Sequence, residues 1–350
     1  MDEVRVAIVG MGIGRANARG FLKTPRARIV ALCDIAEERM HRLAKELEIP
    51  EPLTLYTDYR EMCRDREIDA VFVGTPNQLH VPVALEAVKH DKHVLVTKPL
   101  ADAVGPAREL VAAAEAAGVV NMMSLSTRFS RETQIVGDMV AKGEFGEVYY
   151  GRARSVRRSG IPSWSPGFVQ KGGGAFRDMG VHALDAAWWM MGMPRPVSAT
   201  AVAGAKFGPR GLGFWDFKPQ PELGNQYAAD DYAGGFIRFA NGAGLQVESF
   251  WASHHPEDFQ IEIFGTEAGA RCFNPLTIYR TVAGTPVDSA FTIAKDWEGV
   301  WVTIATHFVE SILDGTECQA PLRHGLIVQE MMEAVLESAE LGREVEIGSD

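Results

Sequence analysis

The sequence predicts an α/β domain built on a parallel sheet, followed by an α+β domain with a large, mainly antiparallel open sheet. In the first third of the chain, short apolar runs rich in Val and Ile alternate with amphipathic segments, which is typical of parallel strands joined by crossover helices. Later runs are longer, and Asn241-Gly242 separates two of them, a hairpin signal because both turn positions need a positive φ. A chain of 350 residues exceeds one ordinary core, and we divide it into domains of residues 1–124 and 125–350.

The elements of the first domain follow from the spacing of apolar residues. Short, continuous apolar runs predict the strands Val4–Val9, Ile29–Cys33, Ala70–Gly74, His93–Val96 and Val119–Met123. Apolar residues at helical spacing predict the helices Glu37–Leu47, Leu79–His90 and Asp102–Ala117.

The second domain opens with a predicted helix at Arg131–Lys142. Alternating runs then predict the strands Phe236–Ala240, Leu245–Phe250, Phe259–Phe264 and Thr277–Arg280. The segment Phe207–Gln226 is rich in Gly and Pro and predicts a long surface loop. Two further helices, Val300–Leu313 and Gly325–Leu341, close the chain.

The composition excludes several classes of function. The net charge of −11 and the lack of a basic run argue against partners with phosphate backbones and against anionic membranes, so we expect no nucleic acid or membrane partner. The four cysteines are scattered, which favours a reducing compartment and predicts neither a disulfide framework nor a metal site. The N-terminus lacks the pattern of a signal peptide, and the apolar stretch Ala183–Met193 is too short to span a bilayer. We therefore expect a cytoplasmic protein.

A glycine-rich loop, Gly10-Met11-Gly12-Ile13-Gly14, directly follows the first strand and precedes a helix. Glycines there allow a pyrophosphate to approach the backbone at a helix N-terminus, where amides are free and the dipole is positive. The third glycine comes one residue earlier than in the usual spacing, and Arg15 occupies its place. Glycine-rich turns also occur for chain reversal alone, so the context of the loop has to support the prediction.

That context is supplied by Asp34, which ends the second strand 24 residues after Gly10. An acid at this position accepts hydrogen bonds from the ribose hydroxyls of a bound dinucleotide, and its charge disfavours a 2′-phosphate. Arg39 and Arg42 follow on the next helix and would moderate this discrimination. The alternative is that Asp34 only caps the helix Glu37–Leu47.

Polar residues also follow the next two strands, at the carboxyl edge where open parallel sheets bind ligands. Thr75, Asn77 and His80 belong to a Thr-Pro-Asn-x-x-His motif, and Lys98 precedes a proline that holds it out of helical conformation. Taken alone, Lys98 is more often a solvated charge, and His80 could simply begin a helix.

A third polar group lies in the second domain, after the triple glycine Gly172–Gly174. Asp178, His182 and Asp185 have the spacing i, i+4 and i+7, which predicts one face of a helix. Such a stripe is usually a solvated face, but the preceding glycines and a histidine between two acids favour a site. Histidine is the side chain whose ordinary pKa suits proton exchange near neutrality.

Together these residues resemble the glucose-fructose oxidoreductase, inositol dehydrogenase and rhizopine-catabolism (Gfo/Idh/MocA) family over nearly the whole chain. The sequence features that carry this resemblance are the glycine loop, the acid after the second strand, the Thr-Pro-Asn-x-x-His motif, the Lys-Pro pair and the Gly-Gly-Gly-Ala-x-x-Asp-x-Gly-x-His-x-x-Asp motif. The resemblance implies a Rossmann domain for a nicotinamide dinucleotide, and a second domain whose sheet mediates homo-oligomerisation, as a dimer or tetramer. Thr97 departs from the family pattern, which has glutamate before the Lys-Pro pair.

Carried over to this chain, the resemblance makes Lys98 the active-site lysine and Asp178 and His182 the family's acid–histidine pair. We expect Arg128, Trp164, Asp178 and His182 to contact the substrate, with Trp164 stacking on a sugar ring. Arg177 stands where an apolar residue is usual and is a further candidate for substrate contact. The expected cofactor contacts are Gly10, Gly12, Ile13, Gly14, Arg15, Asp34, Thr75, Asn77, His80 and Lys98.

The predicted function is hydride transfer between nicotinamide, NAD rather than NADP, and a ring hydroxyl or ketone of a sugar, glycoside or cyclitol. His182 is the predicted general base, and Lys98 in that role with His182 in support is the alternative assignment. Two other functions stay open: a glycosidase or lyase that recycles bound NAD through oxidation and elimination, and a non-catalytic dinucleotide or sugar sensor.

Overall fold

A computed structural model describes residues 2–164, 166–294 and 296–348. The chain folds into two compact units. The first unit comprises residues 1–126 and 295–329, and the second comprises residues 127–294 and 330–350. The predicted domain boundary after residue 124 stays a prediction. The structural units divide after residue 126, and the later segment 295–329 groups with the first unit.

The first unit contains a parallel sheet, as predicted, with six strands where the sequence predicted five. Its strands are β1 Val4–Val9, β2 Ala27–Cys33, β3 Thr54–Tyr56, β4 Ala70–Val73, β5 His93–Thr97 and β6 Asn121–Ser124. They are arranged in the order β3-β2-β1-β4-β5-β6, so the strand order reverses between β1 and β4, where open sheets bind ligands beyond the carboxyl ends. All four residues of β4 are fully buried, which fits a parallel sheet covered on both faces. The three-residue β3 is too short to give a sequence signal.

Helices connect these strands: α1 Gly14–Leu22, α2 Glu37–Leu47, α3 Tyr59–Arg64, α4 His80–Lys89 and α5 Val104–Ala117. In α2, Glu37 and Glu38 begin the helix and Met40 and Leu43 are buried, as an amphipathic helix beside a sheet requires.

The second unit contains a nine-stranded, mainly antiparallel sheet, which confirms the predicted class. Its strands are β7 Val148–Val156, β8 Pro196–Gly204, β9 Tyr232–Phe239, β10 Gly244–Phe250, β11 Asp258–Gly265, β12 Ala268–Arg271, β13 Thr277–Val282, β14 Thr285–Ala290 and β15 Val345–Glu346. Their order is β14-β13-β12-β11-β7-β10-β9-β8-β15, and the β7–β10 pair is parallel while the neighbouring pairs are antiparallel. The predicted hairpin is present between β9 and β10, but of its two predicted turn residues only Gly242 has a positive φ, at +88°, and Asn241 does not.

Helices of the second unit are α6 Arg131–Ala141, α7 Val181–Met190 and the short α8 Pro221–Asn225, which lies in the predicted loop Phe207–Gln226. The chain continues with α9 Trp297–Leu313 and α10 Leu322–Leu341. Within the first unit α9 packs on α1, where the rings of Phe21 and Phe308 meet edge to face at 6.4 Å. Among the residues that the structure describes, no helix is both long enough and apolar enough to cross a membrane.

Candidate active site

The glycine loop after β1 has the geometry that its sequence predicts. Gly10 has φ +84°, and a Cβ there would lie 2.4 Å from the carbonyl oxygen of Gly74, so only glycine fits between the loops after β1 and β4. At Gly12 a Cβ would meet no atom within 4 Å, so the face of the loop is open. Gly14 begins α1, and its Cβ position lies 3.0 Å from Ile8 Cγ2 of β1. The early third glycine therefore serves close packing of helix against strand.

The same region has features that fit a dinucleotide pyrophosphate. The N-cap of α1, Ile13, makes no side-chain capping bond, which leaves the first turn available to an anion. Thr75 follows β4 nearby, and within the described ranges its Oγ1 is buried without a hydrogen-bond partner. Since buried hydroxyls are normally satisfied, this oxygen is suited to a ligand group. The open face at Gly12 leaves room for a pyrophosphate at the start of α1.

Asp34 joins the loop after β2 to the glycine loop. Its carboxylate accepts hydrogen bonds from the amides of Met11 at 3.0 Å and Ala36 at 3.1 Å. The N-cap residue of α2 is Ala36, so Asp34 is not the cap of that helix. A carboxylate offers about four acceptor sites, so two amide bonds leave capacity for ribose hydroxyls.

Arginines surround a pocket beside Asp34. Arg15 forms an exposed ion pair with Glu46, and Arg39 Nη1 lies 3.8 Å from Asp34 Oδ1. The pocket has a volume of about 260 Å³ and is lined by Met11, Gly12, Arg15, Arg39, Arg42, Leu43 and Glu46. Its cationic lining would attract an anionic substituent at the adenosine end of a dinucleotide.

The residues after β4 and β5 are held together by His80. Its ring is fully buried, with Nδ1 2.7 Å from the Pro99 carbonyl oxygen and Nε2 2.8 Å from the Thr75 carbonyl oxygen, and burial lowers its pKa. Both nitrogens face backbone carbonyls, and the neutral ring donates a hydrogen bond to only one of them. Because neither nitrogen faces solvent, the structure corrects the predicted direct contact with a cofactor. His80 instead positions the Thr75 loop against the turn that carries Lys98. Lys98 and Asn77 are both partly exposed, as binding residues must be.

Asp178 lies within an irregular helical turn of the second unit, and His182 follows that turn at the start of α7. Residues Phe176–Gly180 form a π-helical turn, in which the Val181 amide bonds the Phe176 carbonyl, and α7 continues from it. The Asp178 carboxylate accepts a hydrogen bond from Trp251 Nε1 at 3.1 Å. Both Asp178 and His182 are partly exposed, and π-turns occur frequently at functional sites.

The predicted polar face does not include Asp185, which is 1% exposed. Its carboxylate binds the fully buried Arg128 through Nε at 3.1 Å and also through Nη2. Burial raises the pKa of Asp185, and the charge of Arg128 opposes that rise. The predicted substrate contact of Arg128 is thereby corrected, because its guanidinium neutralises a carboxylate in the core.

Arg177 is also engaged within the protein. Its guanidinium donates to both carboxylate oxygens of Glu333, with the shorter distance 2.6 Å, and its side chain is 16% exposed. The family usually has an apolar residue at this position. The ion pair with Glu333, within the second unit, explains why an arginine is accommodated here. The predicted substrate contact is not needed to explain it.

Sequence reasoning did not identify Trp251 and Asp230, which hold the turn that carries Asp178. The Asp230 carboxylate accepts the Phe176 amide at 3.0 Å, and burial raises its pKa to about 6. Gly174, at φ +115°, passes so close that a Cβ would lie 1.9 Å from Asp230 Oδ1. Both residues are more than 50 positions from this turn in the chain, so no local pattern connects them to it.

Trp164 lies on the surface of the second unit and is 66% exposed, as a stacking residue should be. Its ring meets those of Phe168 at 5.8 Å and Trp215 at 6.4 Å. Trp215 was not identified from the sequence, because the loop that carries it has no regular spacing.

Comparison with known proteins connects both units to one family. Residues 4–125 match a family model described as an oxidoreductase family with an NAD-binding Rossmann fold, and residues 133–271 match the GFO/IDH/MocA C-terminal domain. D-glucoside 3-dehydrogenase of Escherichia coli (strain K12) is 29% identical over 99% of this chain and 98% of its own length. The scyllo-inositol 2-dehydrogenase (NAD(+)) of Bacillus subtilis (strain 168) is 26% identical over 89% of this chain and 87% of its own.

The fold agrees with these matches. Levoglucosan dehydrogenase, in a complex with NADH and levoglucosan, superposes with a TM-score of 0.84 at 20% identity, covering 99% of this chain and 100% of the other. With the two family models, the glycine loop and the Asp178–His182 pair, the chain belongs to the Gfo/Idh/MocA family of oxidoreductases with an NAD-binding Rossmann fold.

Proposed function

We propose that this protein is an NAD-dependent dehydrogenase that oxidises a ring hydroxyl of a sugar, glycoside or cyclitol. The observation that carries the proposal is that Asp178, on a π-turn fixed by Trp251 and Asp230, and His182, in the first turn of α7, are both partly exposed. The activities of the relatives named above, on a glucoside and on an inositol, support the same substrate class.

The dinucleotide would be held by the glycine loop and the first turn of α1, with Asp34 accepting from the adenosine ribose. When bound, nicotinamide supplies a C4 position that accepts or returns a hydride. His182 removes the proton of the reacting hydroxyl, and Asp178, fixed by Trp251, orients the imidazole or a neighbouring hydroxyl. Lys98 stabilises the developing alkoxide, and an exchange of roles between Lys98 and His182 is the alternative assignment.

The direct test is a panel of pyranoses, glycosides and inositols with free NAD, followed by the absorbance of the reduced cofactor. Net reduction with a polyhydroxylated ring is the expected result. Cleavage of a glycoside without net NAD reduction would favour the NAD-recycling glycosidase, and binding without any turnover would favour a sensor. Activity on lactate-like acids alone would contradict the substrate class.

We expect NAD to be preferred over NADP, because Asp34 would face the additional 2′-phosphate. Two like charges about 4 Å apart at an effective dielectric constant of about 20 cost roughly 4 kcal/mol, on the order of a thousandfold in kcat/KM. Arg39 lies beside this carboxylate and Arg42 lines the adjoining pocket, so the observed ratio should fall between about tenfold and that limit. The ratio of kcat/KM for the two cofactors measures it.

Two variants test the cause of the preference. Asp34→Asn removes the charge and should shrink the NAD preference, whereas Arg39→Ala removes a cation and should widen it. The role given to Asp34 requires that these two variants shift the NAD-to-NADP ratio of kcat/KM in opposite directions. Equal kcat/KM values for NAD and NADP in the unaltered protein would contradict the role given to Asp34.

We further propose a cytoplasmic homo-oligomer, a dimer or tetramer, in line with the family. Light scattering on the purified protein would determine the number of subunits.

A further inference from the structure

Two indole rings in the second unit, Trp164 and Trp215, form what we call the outer indole pair. They are 66% and 51% exposed, their centroids lie 6.4 Å apart, and their planes meet at 80°. Indole faces are large apolar surfaces, and carbohydrate rings pack their C–H faces on such surfaces. The nearly perpendicular arrangement leaves an angled apolar surface open to solvent.

The loop that carries Trp215 is held by backbone hydrogen bonds to the segment before Trp164. The Trp215 amide donates to the Ile161 carbonyl at 3.0 Å, and the Ile161 amide donates to the Gly213 carbonyl at 2.9 Å. Ile161 is fully buried, in a core cluster that also contains Trp251. A surface held in this way loses little conformational entropy on binding, which favours a ligand subsite.

Ring contacts connect the outer indole pair to Asp178. Trp164 meets Phe168 at 5.8 Å, Phe168 meets the buried Trp251 at 6.5 Å, and Trp251 Nε1 donates to Asp178. Two aromatic side chains in series, Phe168 and Trp251, therefore separate the outer indole pair from the proposed catalytic carboxylate.

Arg157 provides a second connection. Its guanidinium lies over the Trp215 ring, 4.6 Å from the centroid, and it is partly buried. Burial lowers the pKa of Arg157, and the nearby Asp178 carboxylate opposes this effect. The apolar surface is thus bordered by a donor, which suits a ring that has both C–H faces and hydroxyl groups.

We propose that the outer indole pair is a subsite for a second ring, joined by a glycosidic bond to the ring whose hydroxyl is oxidised. The proposal rests on the function proposed above and makes it more specific. Trp251 is fully buried, so a ring with its reacting hydroxyl at Asp178 and His182 would extend toward the partly exposed Phe168, and the next ring would contact Trp164 and Trp215. A free inositol lacks that second ring, so glycosides with two rings are the preferred substrates.

The test compares methyl β-D-glucoside with cellobiose and phenyl β-D-glucoside, which add a pyranose or an aryl ring. We expect kcat/KM to be higher for the substrates with a second ring. Trp215→Ala and Trp164→Ala should each lower kcat/KM for these two-ring substrates about tenfold, by raising KM while kcat stays unchanged. Trp215→Phe should restore part of the loss, because an aromatic face returns. Tyr279→Ala, which alters an exposed aromatic residue on β13, is the matched control and should leave kcat/KM unchanged for every substrate.

The outcomes separate the two proposals. A higher kcat/KM for cellobiose alone identifies a pyranose as the second ring, and a higher kcat/KM for phenyl glucoside alone identifies an aryl group. Equal kcat/KM for one-ring and two-ring substrates, or an equal loss for all of them in Trp215→Ala, would overturn the subsite while leaving the dehydrogenase intact. If no sugar reduces NAD, quenching of tryptophan fluorescence by the two-ring glycosides, but not by methyl glucoside, tests the subsite alone. Absence of that difference would overturn it.

Discussion

His182→Ala is expected to lower kcat by about 10² to 10⁴, the usual contribution of a positioned acid or base. The affinity for NAD should stay nearly unchanged, because the residues proposed to hold the dinucleotide do not include His182. His255→Ala, at an exposed histidine, is the control and should retain kcat. Full activity of His182→Ala would assign the proton acceptor to another group.

Lys98→Ala should lose at least as much activity as His182→Ala. A cation that stabilises a developing alkoxide acts in the transition state, so kcat and kcat/KM should fall together. Because Lys98 follows β5 at the edge where the dinucleotide is proposed to bind, NAD affinity is also expected to weaken. Lys89→Ala, at an exposed lysine on α4, is the matched control. Retention of kcat in Lys98→Ala together with loss in His182→Ala would leave His182 as the sole acid or base.

Arg128→Met is expected to lower the free energy of unfolding by about 3–5 kcal/mol, because it leaves the Asp185 carboxylate buried without its cation. Urea unfolding curves measure this value. The double variant Arg128→Met/Asp185→Leu should recover most of the loss, since apolar side chains of similar size often replace a buried ion pair without cost. A full loss in the double variant would show that contacts other than this ion pair account for the stabilisation.

The same variant has a defined pH dependence. Burial already raises the pKa of Asp185, and removal of Arg128 removes the group that opposes the rise. The folded state then binds more protons than the unfolded state above the ordinary pKa of aspartate, so stability falls as the pH rises, by up to about 1.4 kcal/mol per pH unit. Arg128→Met should therefore be less stable at pH 8 than at pH 5.5, relative to the unaltered protein. The double variant, which lacks the carboxylate, should not show this difference.

Much of the first unit was determined by local sequence. The strands β1 and β4 are continuous apolar runs because each strand of a parallel sheet is covered on both faces. The helix α2 is amphipathic because only one of its faces is buried. The glycine at the end of β1 was also predicted, since a close backbone approach needs glycine wherever it occurs, and the binding of a cofactor by this loop and Asp34 stays a prediction. The Asn241-Gly242 hairpin was predicted for the same kind of local reason.

Only the tertiary structure decided which polar residues are available for chemistry. Spacing placed Asp178, His182 and Asp185 on one face, but the π-turn and the distant Arg128 separate them, and Asp185 is paired in the core. His80 and Arg128 were predicted as binding residues and are buried, because their partners are backbone carbonyls and a carboxylate that the fold brings to them. Trp215, Trp251 and Asp230 acquire their roles through contacts with residues far away in the chain. Local sequence determines backbone conformation and burial, whereas the pairing of buried charges and the assembly of a site depend on long-range contacts that no single segment encodes.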